Sequence, residues 1–148
     1  MRNILFILMA VVLTACASVG AASSDFDIAR DKWQDAGISH YRFNVAISCF
    51  CIFTQDMPLI IEVQDGEVVS MEYASGNELD PNSLELFNRY ATVDRIFAEL
   101  EKAHAEADSV TVEYDETYGF PTQVTIDFDQ QAADEEIYLT LSDFEALP

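Results

Sequence analysis

The stretch Tyr41-Arg42-Phe43-Asn44-Val45-Ala46-Ile47-Ser48-Cys49-Phe50-Cys51 decides the fold. Tyr41, Phe43, Val45, Ile47, Cys49 and Cys51 alternate with Arg42, Asn44, Ala46, Ser48 and Phe50. A period of two is that of a β-strand with one face on a core, and it sends the first set to that face. Phe50, Ile52 and Phe53 then make the end of the strand apolar on both sides. Two readings are open there: a central strand covered twice, or a bulge that shifts the phase.

Downstream, Leu59, Ile61 and Val63 alternate before Gln64-Asp65-Gly66, and Val69, Met71 and Tyr73 alternate after it. A two-residue Asp-Gly turn would put Val69, Met71 and Tyr73 on the wrong face. A three-residue loop with Gly66 left-handed brings all six residues to one face, so that loop is the expectation. Ser75 to Ser83 holds Gly76, Asn77, Asp80, Pro81 and Asn82, and reads as a loop. Leu84, Leu86 and Phe87 predict a short helical turn. Val93, Ile96, Phe97 and Leu100, with Ala103 or His104, form a stripe at spacings of three and four. They predict a helix from Thr92 to near Ala107. Val110, Val112 and Tyr114 form a fourth strand. Pro121, at a strand start, opens a fifth with Val124, Ile126 and Phe128. Ile137, Leu139 and Leu141 make a sixth, with Phe144 beyond it.

Upstream, Asp25 to Ala36 reads as a helix with Ser24 as N-cap, Asp27 at its third position and Gly37 to end it. Ile28 or Ala29, with Trp33, supplies its apolar stripe. Trp33 is read as a core residue rather than a ligand-stacking one. The expected class is therefore α+β: antiparallel sheet packed against helices. The order α-β-β-β occurs twice, as a tandem pseudo-repeat would have it.

The first residues carry a different signal. Arg2 precedes the apolar run Ile4 to Leu13, which is too short to span a bilayer as a helix. Leu13-Thr14-Ala15-Cys16 resembles a bacterial lipobox. The resemblance implies a signal peptide over 1–15, cleavage before Cys16 and a lipid on its thiol. An ordinary secretory signal cut near Ala21 or Ala22 is the alternative. Residues 16–24 then form a lipid-anchored tether, and 25–148 a single domain. Ala17, where an Asp would mark inner-membrane retention, favours the outer membrane, with the domain facing the periplasm.

The whole chain of 148 residues holds 27 Asp and Glu against seven Lys and Arg, for a formal charge of −20. Losing Arg2 with the signal makes the remainder more acidic still. No basic tract exists, which argues against nucleic acid and against a helix lying on anionic lipid. A cationic partner would be steered in. Ten Phe and six Tyr are too much core material for a disordered tail.

With Cys16 lipidated, Cys49 and Cys51 are the remaining thiols, and in an oxidising compartment a disulfide is their expected end state. Residues two apart in a regular strand sit at the Cα limit for such a bond, so it needs a tight bend at Phe50. Redox activity and a metal site are the alternatives. However, the catalytic redox arrangement is Cys-x-x-Cys at a helix start, and His40 and His104 have no ligand spacing with the pair.

Trp33, Tyr41 and the strand into Cys49-Phe50-Cys51 resemble the opening of the DUF6174 family, small bacterial exported proteins and lipoproteins of unknown function. Val63 with Asp65-Gly66 and Val68, the Val93-to-Phe97 helix start, Tyr114-Asp115, Gly119-Phe120-Pro121 and Asp127 are similar to its later landmarks. The resemblance spans roughly 30–142. It implies an exported domain and brings no activity, substrate, cofactor or catalytic residue.

The functional expectation is a membrane-anchored envelope lipoprotein acting without catalysis, as a binding module or assembly accessory. Its membrane contact is the Cys16 lipid, and an envelope protein is its expected partner. Arg42, Asn44 and Ser48, with Ala46 between them, form the candidate contact surface if no helix covers that face. A small periplasmic hydrolase or an inhibitor is the alternative. No nucleophile elbow, zinc-peptidase motif or phosphate loop is present, and no cofactor is expected. A further alternative is divalent-cation binding by Asp127, Asp129, Asp134, Glu135 and Glu136. These lack the calcium-loop pattern and read first as a solvated acidic connection.

Overall fold

The computed structural model describes residues 24–148; the expected signal peptide, Cys16 and the tether as far as residue 23 lie outside them. The expected strand forms as β1 (His40–Ser48). Tyr41, Phe43, Val45 and Ile47 are no more than 2% exposed. The strand stops at Ser48, so the double apolar signal beyond it is neither a second covered face nor a bulge. The chain bends at Cys49-Phe50-Cys51 and enters a 3-10 turn over Ile52–Asp56. That turn delivers Phe53 to the core, edge-on to Phe87 at 4.9 Å, and leaves Phe50 in solvent.

The remaining strands are β2 (Leu59–Gln64), β3 (Glu67–Tyr73), β4 (Ser109–Tyr114), β5 (Pro121–Asp127) and β6 (Glu136–Ala146). They form one six-stranded sheet in the order β3-β2-β1-β6-β5-β4. Every neighbouring pair is antiparallel. Helices α1 (Asp25–Ala36), α2 (Leu84–Arg89) and α3 (Val93–Glu106) complete the α+β fold. The repeated α-β-β-β order is present as two meanders lying side by side, with β1 and β6 at the seam.

The β2–β3 hairpin corrects one expectation. Asp65 and Gly66 both have positive φ, 51° and 80°, and form a two-residue turn that pairs Gln64 with Glu67 and Val63 with Val68. The face error that this turn would cause is repaired one step later. The register shifts between Glu62 and Val63, so Val69 is the extra residue. Met71 and Tyr73 then return opposite Ile61 and Leu59, as expected, while Val69 is turned out, 56% exposed. A similar device acts in β6. Its register against β1 slips between Arg42 and Asn44, beside Asp143 with φ 51°. The slip changes the phase of β6, so Phe144 joins Leu139 and Leu141 on the core side and stacks on Phe120 at 4.5 Å.

Helix α1 begins with a complete capping box: the Ser24 hydroxyl accepts from the Asp27 amide, and the Asp27 carboxylate accepts from the Ser24 amide. Gly37, left-handed at φ 59°, ends it. Ala29 and Trp33 are the buried stripe, and Ile28 is turned outward. On α3 the fourth-turn residue that goes inward is Ala103, not His104. The two helices run antiparallel over the same sheet face. Phe26 meets Phe97 and His104, and the Trp33 indole N–H donates to Asp94 at 3.2 Å. Trp33 is 4% exposed and edge-on to Tyr41, so it is a core residue as expected. Tyr41 also reaches α3, where its hydroxyl accepts from the Val93 amide at 3.1 Å. Burial pushes this phenol up to about 12, so it stays neutral.

Two substitutions test this packing. Gly119 has φ 82°, and an added Cβ would lie 2.4 Å from the Ala29 carbonyl oxygen. Gly119→Ala should therefore cost at least about 2 kcal/mol, read from urea unfolding midpoints. Tyr41→Phe keeps the ring but strands the buried Val93 amide, and should cost about 1–3 kcal/mol in the same assay.

Candidate functional site

Among the described residues the helices occupy one face of the sheet, which leaves the other face, that of Arg42, Asn44, Ala46 and Ser48, open. The period-two pattern placed these residues together, and the strand pairing adds their neighbours. Arg42 donates to Glu145 at 2.7 Å, and Asn44 donates to Asp143 at 2.7 Å. Both acceptors come from β6, about a hundred residues away. Ser48 is exposed and pairs with Tyr138, itself 47% exposed. On this face Arg42 and Asn44 are tied to carboxylates of β6, beside Ala46 and the exposed Ser48.

At its corner Cys49 and Cys51 are disulfide-bonded, with Cα atoms 5.1 Å apart. The bend expected at Phe50 is there. It is closed by a Cys51 amide to Cys49 carbonyl bond of 2.7 Å. The small ring holds Phe50 outward, 86% exposed.

His40 and Ser48 sit at opposite ends of β1, eight steps apart, about 26 Å. They cannot form a nucleophile–base pair. His104 instead lines a cleft of about 600 Å³ between the start of α1, the second half of α3 and β4. It is exposed, and its ring lies edge-on to Phe26. The carboxylates near it, Asp25, Asp27 and Glu101, belong to surface or half-buried residues rather than buried ones. The cleft therefore does not set a histidine beside a buried acid, which acid–base work would need. Its phenol, Tyr114, is pushed up to about 12 by burial and by Asp25, so it is a neutral wall.

Asp127, Asp129, Asp134, Glu135 and Glu136 lie at the end of β5 and along the connection to β6. Among the described residues no three His, Cys, Asp or Glu side chains converge to hold a metal ion. One ionic cluster escaped the sequence reading. Glu99, 8% exposed, accepts from Arg89 at 2.9 Å and from Lys102 at 2.6 Å. Burial alone would raise its pKa, but the two cations hold it below the usual carboxylate range. The i, i+3 spacing to Lys102 was readable; the Arg89 contact depends on how α2 meets α3.

His40 meets acceptors on both ring nitrogens: Glu62 Oε1 at 3.0 Å and the Pro148 carbonyl oxygen at 3.0 Å. Only the imidazolium donates from both. The Glu62 bond, then the Pro148 bond, raises its pKa above 6.5. A raised folded pKa stabilises fully below the unfolded value and is lost as pH rises through the folded one. The gap in melting temperature between the parent and His40→Ala should therefore be widest from the carboxylate range up to pH 6.5 and shrink above it. A gap independent of pH would mean that folding leaves the pKa of the ring unchanged.

Neither the curated proteins nor the solved structures provide a match to this chain. Among the described residues no helix is long and apolar enough to cross a membrane. The model of a family of unknown function, DUF6174, matches residues 25–146, from the first residue of α1 to the last of β6, and the chain belongs to that family.

Proposed function

We propose that this chain is an envelope lipoprotein that acts by binding. Lipid on Cys16 would hold it at the bacterial outer membrane, and the domain would face the periplasm and serve as an assembly accessory. The lipobox-like Leu13-Thr14-Ala15-Cys16 supports the anchor. The observation that carries the binding role is the uncovered sheet face of Arg42, Asn44, Ala46 and Ser48. Its ordered polar side chains offer a preformed surface. Preformed surfaces lose little freedom on association. The disulfide at the corner of this face suits an oxidising compartment.

The anchor and the face are tested separately. Metabolic labelling with an alkynyl fatty acid should mark the parent chain and leave Cys16→Ala unmarked and soluble. An unmarked parent would remove the anchor from the proposal. Capture of the intact protein from solubilised envelopes should recover a stoichiometric, salt-resistant partner. Asn44→Arg with Ser48→Arg should lose it, because both changes push bulky charge out of the open face. Recovery that is indifferent to these two changes would place the contact elsewhere.

A further inference from the structure

Among the described residues the sheet has two free edges, β3 and β4, and they are not alike. The β3 edge carries a bulge at Val69 and an ion pair between Glu67 and Arg95. Bulges and charges on an edge block the addition of another strand. The β4 edge has no bulge in its middle, and its one charge, Glu113, accepts from Gln123 of β5 and has the sign of the acidic surroundings. Ser109 to Glu113 pair regularly with β5, and the register shifts only at Tyr114. Its sequence Ser-Val-Thr-Val-Glu-Tyr contains no Lys and no Pro. A groove runs between this edge and α1. Val112 and Tyr114 contribute from β4, and Phe26 and Ile28 from the helix. Ile28 is 53% exposed there and offers its apolar side chain to the groove. At the far end the Lys32 ammonium donates to the Glu116 carbonyl and closes the groove.

We propose that this groove takes an extended basic peptide segment of a partner protein, added to β4 as a seventh strand. Strand addition supplies main-chain hydrogen bonds along the edge, and alternate side chains enter the groove. The charge of the surroundings selects the occupant. Asp25, Glu101, Asp115 and Glu116 rim the groove. Five of the six described Lys and Arg residues already pair with a carboxylate, and the sixth, Lys32, bonds the main-chain carbonyl of Glu116, so one cation in the groove faces four rim carboxylates and the local excess stays acidic. A second copy of the chain could pair β4 with β4, but it would bring the same acidic rim against this one. A cationic strand meets attraction instead. The site lies on the helical side of the molecule, apart from the open face, and goes beyond the binding role assigned to that face.

The test uses the full chain in a neutral detergent and a fluorescent alternating lysine–valine peptide. Binding is read by anisotropy at low salt, and amide exchange is followed along β4. The peptide should bind and slow exchange in Val110 to Glu113. A lysine–proline peptide, which cannot complete the ladder, and a glutamate–valine peptide, which has the wrong charge, should each bind at least about tenfold more weakly. Asp25→Asn with Glu101→Gln should weaken the lysine–valine peptide about fivefold or more. Asn44→Arg with Ser48→Arg, on the open face, should not weaken it. Equal binding of the lysine–proline peptide, or unchanged exchange in β4, would reduce the effect to charge attraction and overturn the proposal. Absent binding, or a β4-to-β4 dimer in sedimentation, would overturn it as well.

Discussion

The side chain of Tyr41 fixes how the two layers sit on each other. It belongs to β1, at the middle of the sheet, and its hydroxyl accepts the first amide of α3. Its ring meets Trp33 of α1 edge-on and Phe144 of β6 face-on. One residue therefore sets the position of two helices and the phase of the neighbouring strand. A buried polar group held this way has few alternative arrangements, because any shift of α3 leaves an amide unpaired. The aromatic ring of contacts around it is completed by Phe120, which the Gly119 turn delivers beneath α1.

The consequence of that docking is a two-faced molecule. The helical layer gathers the apolar side chains and five of the six described Lys and Arg residues. The open face keeps Arg42 alone, paired with Glu145. Five of the six described cations pair locally with a carboxylate, Lys32 bonds a main-chain carbonyl, and the surplus of carboxylates is left facing solvent. Such a surface repels its own copies and sets up a field of negative sign at long range.

Much of this was legible in the chain. The period of two in Tyr41 to Ile47, the capping box at Ser24 and the stripe from Val93 to Leu100 are local patterns, and each formed where it was read. The errors were also local in kind. At Asp65-Gly66 the phase argument was right in demanding one extra residue, but it sat at Val69 in the strand rather than in the loop. Type I′ geometry suits Asp-Gly so well that the correction moved to where a bulge is cheaper. After Ser48 the apolar run invited a longer strand. The disulfide bend ended it, and Phe53 reached the core from a turn. Of the candidate surface, Arg42, Asn44 and Ser48 could be grouped by alternation, but their acidic neighbours could not. The pairing of β1 with β6 joins residues about a hundred positions apart.

The sequence by itself determined most of the elements, the buried side of β1 and β2, the acidic character and the nearness of Cys49 to Cys51. These follow from short-range periodicity, capping and composition. Only the tertiary structure decided which strands lie at the edges, that every helix lies on one side, and that α1 leaves a groove along β4. Those features depend on contacts between distant segments, and strand order leaves no trace in a local pattern, because an edge strand and an inner strand of an open-faced sheet alternate alike.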